Sequence, residues 1–243
     1  MLATILNLPT LNVGLLKFSG VCRSCDLTNA NLVAMDLHGV DLYSAALTGA
    51  NLSGADLSGA NLSGTNLTGV SLSGANLTAV NLTGVDLSGV DLTGANLKGA
   101  NLRGVNLSGA DLRGANLNQT VLINARMTDA KIEKGQLDQA LLCYTKTSDG
   151  SVSGCNLSGR NLTGMDLREV DLSGVNLIDA NLTGVDLAGA NLTGVDLAGA
   201  NLTGANLAGV DLTGANLRGA NLTGTTFCKT KMSGGKLNNA SCH

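Results

Sequence analysis

Leucine recurs at every fifth residue along most of the chain, and the residues around it follow a fixed order. From Asn181 to Ala215, Asn or Asp precedes each Leu and Gly stands two places after it. A helix would scatter leucines at this spacing around its circumference, and a strand would send successive ones to opposite faces. The pattern therefore predicts a chain that turns once per quintet, so that every Leu faces one common interior.

A single quintet contains the parts for such a turn, as Ala55–Gly59 illustrates. Ala55 and Leu57 are two residues apart and share one face of a short extended stretch, while Asp56 points away. Ser58 and Gly59 then form a corner, because the third residue of a type II turn needs a positive φ that Gly adopts without strain. Four corners close a coil of about 20 residues, and stacked coils pair like parallel strands about 4.8 Å apart.

The unit Ala-(Asp/Asn)-Leu-(Ser/Thr)-Gly resembles the pentapeptide repeat family of bacteria, and notably of cyanobacteria. Between Leu27 and Leu237 the sequence holds 43 quintets in one phase, and Thr147 is the one polar central residue. The resemblance implies an all-β fold, a right-handed quadrilateral parallel β-helix with about 20 residues per coil.

Breaks in the pattern divide the chain into five segments. Residues 1–24 are apolar and out of phase, which predicts an N-terminal cap, with a degenerate targeting segment as the alternative. Residues 25–144 and 155–239 form two β-helical segments. Residues 145–154 contain the turn signal Ser-Asp-Gly and predict an interrupting loop or distorted coil. Residues 240–243 are a C-terminal tail.

One segment of the sequence is repeated at a distance. Residues 142–150, LCYTKTSDG, match residues 227–235, FCKTKMSGG, and the second copy resembles the closing segment of family members. The repeat predicts two solenoids, each with its own terminator, of which the first has become internal.

Composition narrows the range of partners and compartments. The net charge is −3 and aromatic residues are 2% of the chain, so a nucleic-acid interface is not expected. No uninterrupted apolar run of membrane length occurs, so we expect no membrane association. Twelve Asn-Leu-Ser/Thr triplets would crowd a glycosylated rod, and Cys25 and Cys155 fall at inward positions where Cys acts as a small hydrophobe, so we predict a cytoplasmic protein. Cys22 and Cys25 have redox or zinc spacing, but no second pair follows nearby, and no metal site is predicted.

The candidate site lies where the quintet pattern lapses. Corner Gly is absent between Gln119 and Asp149, and outward positions there become charged. The irregular segment is either neutral sequence variation on a solvent-exposed face or a surface patch that binds a partner. Arg160 occupies an inward position, so either the interior opens to water there or the guanidinium finds a partner. The candidate patch comprises Arg126, Lys131, Glu133, Lys134, Asp138, Tyr144, Lys146, Asp149 and Arg160.

The pattern favours an interaction protein over an enzyme. Flat Ser/Thr/Asn/Asp faces offer no concave set of converging groups, so no catalytic, cofactor-binding or metal-binding residues are predicted. We expect a structural or protein–protein interaction scaffold for an unknown protein partner. Its open C-terminal end can stack on a second copy to form a homodimer, as the resemblance implies.

Two other functions are consistent with a β-helical rod. Some pentapeptide repeat proteins mimic DNA, bind DNA gyrase and protect it from quinolones, which requires an acidic stripe. Here the Asp residues that precede Leu are scattered over all four faces, and stack only at Asp36/Asp56, Asp91/Asp111 and Asp166/Asp186. A regular hydroxyl-lined surface of the ice-binding type is the other alternative, although Ser, Thr, Ala and Arg mix at the outward position.

Overall fold

The computed structural model describes Leu16 and residues 20–242. Its repeating feature is a parallel bridge between residues 20 positions apart, as in Asn61↔Asn81 and Asn81↔Asn101. Four quintets therefore bring the chain back to the same face, as the five-residue period predicts.

The corners are β-turns of the expected kind. The amide of Ala60 donates to the carbonyl oxygen of Leu57 at 3.0 Å. Gly59, the third residue of that turn, has a φ of 67°. Ala79 holds a corner with a φ of 54°, so the position tolerates a Cβ while favouring Gly.

The side chains that face inward form a dry column. Leu57 and Leu77, one coil apart, are 0% exposed, and the small residues Ala55 and Ala75 beside them are also fully buried. A large residue alternates with a small one along each side, because the narrow interior has no room for two large residues per quintet. Burial of each Leu contributes roughly 1.5–3 kcal/mol, so the column is the main source of stability.

Hydrogen bonds between coils continue outside the column. Leu57 N donates to Asn76 O at 2.8 Å, and Asn76 N donates to Ala55 O at 2.9 Å. The Asp56 carboxylate accepts from Ser58 N at 2.9 Å and from Asn76 Nδ2 at 3.0 Å. The Asp/Asn position thus closes its own turn and also ties it to the next coil.

The chain divides into two compact units, Met1–Gly154 and Cys155–His243. In the first, paired coils begin at Val21, which is bridged to Asp41, so residues 21–24 already belong to the ladder. Most of the cap predicted over residues 1–24 lies outside the described residues and stays a prediction.

The regular coils are joined by single-residue bridges, whereas two-residue strands occur at the end of the second unit. Strand β1, Thr230–Lys231, pairs antiparallel with strand β2, Leu237–Asn238. The register places Thr230 opposite Asn238 and Lys231 opposite Leu237. Because Lys231 also bridges Asp211 in parallel, β2 adds a final antiparallel strand to a parallel ladder.

The ladder is interrupted in the last part of the first unit, where the sequence period suggests regular coil. Residues 134–139 form turns, and Gly135, one place beyond the expected corner, has a φ of 81°. Gln136 N donates to Glu133 O within this turn. The Gln136 side chain instead reaches Ala115 O at 2.7 Å, so an amide side chain replaces the missing backbone donor.

The structure corrects the interpretation of Cys25 and Cys155 as small hydrophobes, because both are disulfide-bonded. Cys22 and Cys25 form a disulfide with a Cα–Cα distance of 5.5 Å. Cys228 and Cys242 form another, across 14 residues of sequence. Within the described chain no cysteine is free. The turn between Cys22 and Cys25 brings their Cα atoms into disulfide range, which the inward and outward alternation alone did not reveal.

Candidate interaction surfaces

The nine candidate residues are all exposed, eight of them in the first unit and one, Arg160, in the second. Arg126 and Lys146 are bridged neighbours on one face, and Asp149 lies in the turn that follows Lys146. Lys131 continues the next face, where its ammonium lies 3.5 Å from Asp111. The remaining candidate residues of the first unit follow around the coil, namely Glu133, Lys134, Asp138 and Tyr144. The eight candidate residues of this unit therefore form a belt.

Arg160 is the candidate residue that belongs to the second unit. Its amide donates to Leu157 O at 3.1 Å and its carbonyl accepts from Asn181 N, so its backbone keeps the regular register. The residue is nevertheless exposed, whereas the next inward residue of the sequence, Met165, is 5% exposed. The Arg160 side chain is therefore accessible to solvent although it stands at an inward position of the sequence pattern.

Residues 145–154 form a hairpin that ends the first unit. Lys146 pairs antiparallel with Val152, and Thr147 N donates to Ser151 O at 2.9 Å. The Asp149 carboxylate organises the turn by accepting from Thr147 Oγ1 at 2.6 Å and from Ser151 N at 3.0 Å. The hydroxyl of Thr147, and then the amide and hydroxyl of Ser151, lower the pKa of Asp149 to about 2.

The same hairpin ends the second unit. Met232 N donates to Lys236 O at 2.8 Å, as Thr147 N does to Ser151 O, and Lys231 faces Leu237 as Lys146 faces Val152. The duplicated sequence is thus a duplicated structure. The outward apolar residues at its tip were not among the candidate site residues, although Val152 and Leu237 are 65% and 67% exposed.

Acidic side chains stack as like charges at three places, and each place has a basic side chain on the same face. Asp166 bridges Asp186, and Arg168 donates to Asp166 Oδ2 at 2.6 Å while its Nε lies 3.7 Å from Asp186 Oδ2. Hydrogen bonding and Coulomb attraction to Asp166 raise the pKa of Arg168, so this cation stays charged at all ordinary pH values.

The other two stacks follow the same rule. Asp91 bridges Asp111, and the side chain of Arg113 holds the pKa of Asp111 well below its ordinary value. Asp36 bridges Asp56, and His38 Nδ1 lies 2.9 Å from the hydroxyl of Ser58, which donates to Asp56. The acidic residues are therefore offset locally, which argues against an acidic stripe on the described faces.

The central apolar side chains are more exposed in the last coil of the second unit than in the coil before it. Leu207 and Leu212 are 0% exposed. The central residues that follow, namely Leu217, Leu222, Phe227 and Met232, are half-buried. The last coil has no following coil among the described residues, so it leaves part of an apolar surface open to solvent.

This end of the second unit is also basic. From residue 212 to residue 242 the sequence has Arg218, Lys229, Lys231 and Lys236 and no Asp or Glu. Lys231 forms an ion pair with Asp211 at 3.2 Å. Counting charges segment by segment would have revealed the excess of basic residues at this end. The net charge of −3 for the whole chain conceals that excess.

The described part of the chain has neither a cluster that could bind a metal ion nor a helix that could span a membrane. Residues 20–242 contain no group of three or more His, Cys, Asp or Glu side chains arranged to hold a metal ion. No helix in that part has the length and hydrophobicity needed to span a bilayer.

Comparison with solved structures finds several similar proteins. HetL, a pentapeptide repeat protein involved in heterocyst differentiation regulation from the cyanobacterium Nostoc sp. Strain PCC 7120, is 33% identical, with 90% of this chain and 91% of that chain covered and a TM-score of 0.44. Rfr23 from the cyanobacterium Cyanothece 51142 is 28% identical over 51% of this chain and 95% of its own, with a TM-score of 0.34. QnrB1, a plasmid-mediated fluoroquinolone resistance protein, is 22% identical over 84% and 90%, with a TM-score of 0.41. Curated protein sequences give no match.

The family model described as pentapeptide repeats matches the chain in eight copies, which together cover residues 21–142 and 153–241. The residues between these two ranges include most of the first hairpin. They confirm the prediction of an all-β, right-handed quadrilateral β-helix. The chain belongs to the pentapeptide repeat family.

Proposed function

We propose that the protein is a non-enzymatic scaffold that binds another protein at the places where its ladders end. The observation that carries this proposal is the contrast between regular coils and terminators. In regular coils the outward polar groups bind one another, as Asn76 binds Asp56. At the terminators, exposed apolar side chains such as Val152 and Leu237 stand beside lysines. Such a mixture is typical of protein interfaces.

The experiment that tests this proposal replaces a terminator without shortening the chain. Residues 145–154 are ten in number, so two regular quintets can take their place. The variant and the wild type are used to capture proteins from the native host, and captured proteins are identified by mass spectrometry. A control variant has residues 91–100 replaced by two other regular quintets. We expect at least one partner to be retained by the control and lost by the terminator variant.

Equal capture by all three proteins would contradict the first terminator as a binding site. In that event the belt around it, from Arg126 to Asp149, is only a solvated face. Absence of any captured protein under native conditions, with purified wild type folded, would contradict the scaffold function itself.

A homodimer is a further part of the proposal. The half-buried Leu217, Leu222, Phe227 and Met232 form an apolar surface that a second copy can cover by stacking on the C-terminal end. Light scattering coupled to size exclusion measures the mass directly. A monomeric mass at about 100 μM protein would contradict the homodimer, because obligate interfaces hold at far lower concentrations.

The disulfides bear on the cellular compartment. Structural disulfides persist in oxidising compartments and are rare in a reducing cytosol. Cys22–Cys25 and Cys228–Cys242 therefore favour an oxidising setting over the cytoplasmic one predicted from sequence. Mass spectrometry of protein trapped with an alkylating agent in the host decides between them, because a cytoplasmic protein would be alkylated at these cysteines.

A further inference from the structure

The final strand of the second unit has one edge that faces away from its partner. Just beyond β1 and β2, at the turn of the hairpin, Met232 N donates to Lys236 O, and Lys231 opposite Leu237 is the next pair along the ladder. Antiparallel ladders alternate between hydrogen-bonded and non-hydrogen-bonded pairs. The N–H and C=O of Leu237 therefore point away from Lys231, toward the open edge.

The other side of the ladder is already occupied. Lys231 N donates to Val210 O at 2.8 Å, and Leu212 N donates to Lys231 O at 2.7 Å. Among the described residues, the ladder thus runs from Asp211 through Lys231 to Leu237 and ends there. An unpaired strand edge is a template for another extended chain.

The side chains at this edge specify what kind of chain it fits. Leu237 is the most exposed large apolar residue in the described part of the chain, at 67%. Lys229 and Lys236 are exposed close to it in sequence, and no acidic residue lies between residues 212 and 242. A chain that pairs with Leu237 would cover an apolar side chain and meet positive charge.

We propose that the open edge of β2 binds an extended acidic peptide segment that carries apolar side chains at alternate positions. The incoming backbone would pair with the N–H and C=O of Leu237, and one of its apolar side chains would cover the Leu237 side chain. Its carboxylates would lie near Lys229 and Lys236. This inference rests on the proposed scaffold function and names the class of partner for its C-terminal end.

Other occupants fit the edge less well. Single-stranded nucleic acid would meet the lysines, but its backbone has no amide groups to pair with the edge, and no aromatic ring except Phe227 lies between residues 212 and 242. A second copy that paired edge to edge with β2 would place lysine beside lysine, and like charges at strand spacing repel. The homodimer proposed above would instead use the half-buried central residues of the last coil.

The chain has an internal control for this proposal. In the first hairpin, Val152 occupies the place of Leu237 and is 65% exposed, and Lys146 occupies the place of Lys231. However, Asp149 sits in that turn, where the second hairpin has Gly234, and Lys236 has Ser151 as its counterpart. The first hairpin thus has a similar exposed apolar residue without the basic surroundings.

The test uses a fluorescein-labelled ten-residue peptide of alternating Glu and Val as the probe, with the full-length oxidised protein. Fluorescence anisotropy compares wild type, Leu237→Ser, the pair Lys229→Glu with Lys236→Glu, and Val152→Ser. We expect Leu237→Ser and the charge-reversed pair each to weaken binding at least tenfold, and Val152→Ser to change it less than twofold. Amide signals of Leu237 and Asn238 should shift when unlabelled peptide is added.

Three outcomes would overturn the proposal. The first is equal binding of the Glu-Val peptide by Leu237→Ser and wild type. The second is binding of a Lys-Val peptide, or of a ten-nucleotide single-stranded DNA, that equals or exceeds binding of the Glu-Val peptide. The third is no binding of the Glu-Val peptide at about 1 mM. Protected amide exchange at Thr230 shows in each variant that the hairpin is folded. If host proteins are still lost on replacing residues 145–154, the scaffold function survives and only this inference fails.

Discussion

Thr145 and Thr230 make the same buried hydrogen bond in two different units of the chain. Thr145 Oγ1 donates to Leu122 O, and Thr230 Oγ1 donates to Leu207 O, in each case 23 residues earlier. Both threonines are 0% exposed and stand at inward positions that usually hold Ala or Val. Each hydroxyl ties a terminal hairpin to the coil below it, so the terminators are built into the column.

Replacing Thr230 by Val keeps the shape of the side chain and removes this tie. We expect a loss of about 1 kcal/mol from the free energy of local unfolding of the hairpin, because one buried hydrogen bond is lost while Leu207 O still accepts from Val210 N. Amide hydrogen exchange of residues 228–240 measures it. The control is Thr223→Val, because Thr223 is exposed and water can replace its bond to Asn221. Equal effects of the two changes would contradict the role of Thr230.

Arg168 is predicted to offset the repulsion between Asp166 and Asp186. Replacement by Gln should destabilise the second unit by about 0.5 kcal/mol at low ionic strength, a small value because the side chain is 59% exposed. The effect should vanish in about 1 M salt, since screening acts over about 3 Å there. Urea unfolding at both salt concentrations measures it. A second change, Asp186→Asn, should restore stability in the Gln variant, and failure to do so would contradict the pairing.

Corner substitutions should follow the conformation of the backbone. Gly54 has a φ of 66° and open space where a Cβ would stand, so Gly54→Ala should cost about 1 kcal/mol through backbone strain alone. Gly54→Asn should cost less, because Asn tolerates this region, as Asn124 does at a φ of 57°. Thermal unfolding ranks the variants. An Asn variant less stable than the Ala variant would contradict this account of the corner.

The hairpin of the first unit is predicted to loosen in acid. The pKa of Asp149 is lowered to about 2 from an ordinary value of 3.8, chiefly by the hydroxyl of Thr147. A lowered carboxyl pKa stabilises the folded hairpin above pH 3.8, and that contribution disappears as the pH falls through about 2. Carbon NMR titration of the carboxyl measures the midpoint. The second hairpin has Gly234 at this place and provides the insensitive control. A midpoint near 4 for Asp149 would contradict the hydrogen bonds.

Reduction should affect the two described disulfides unequally. Cys228–Cys242 closes a loop with a sequence separation of 14, whereas Cys22–Cys25 closes one with a separation of 3. Loop-closure entropy predicts a loss of about 3 kcal/mol for the longer loop and less for the shorter one. The pair Cys228→Ser with Cys242→Ser and the pair Cys22→Ser with Cys25→Ser are compared by hydrogen exchange. Greater local unfolding in the Cys22 pair would contradict this order.

The regular part of the fold follows from the period because each quintet repeats the same physical solution. Leu57 must be buried, Gly59 permits the corner, and Asp56 closes the turn, so one quintet predicts the next. The end of the second unit was predicted in outline, because the sequence of residues 227–235 repeats that of residues 142–150. Both copies form the same hairpin.

What the sequence did not reveal depends on contacts between coils. The displaced corner at Gly135 is stable because the Gln136 side chain reaches Ala115 O, a neighbour from the preceding coil. The exposed edge at Leu237 depends on which hairpin pair is hydrogen-bonded. The candidate belt from Arg126 to Asp149 was proposed from irregularity alone, which cannot say that its members lie on different faces.

Disulfide trapping tests whether the chain turns a corner at every quintet and returns to the same face after 20 residues. Asn61 and Asn81 are bridged across one coil and both point outward, at the strand spacing of about 4.8 Å that suits a disulfide. We expect cysteines at positions 61 and 81 to form a disulfide under mild oxidation. Cysteines at positions 61 and 76, which lie on neighbouring faces, should not form one. Peptide mapping that showed the 61–76 link and not the 61–81 link would contradict the coil.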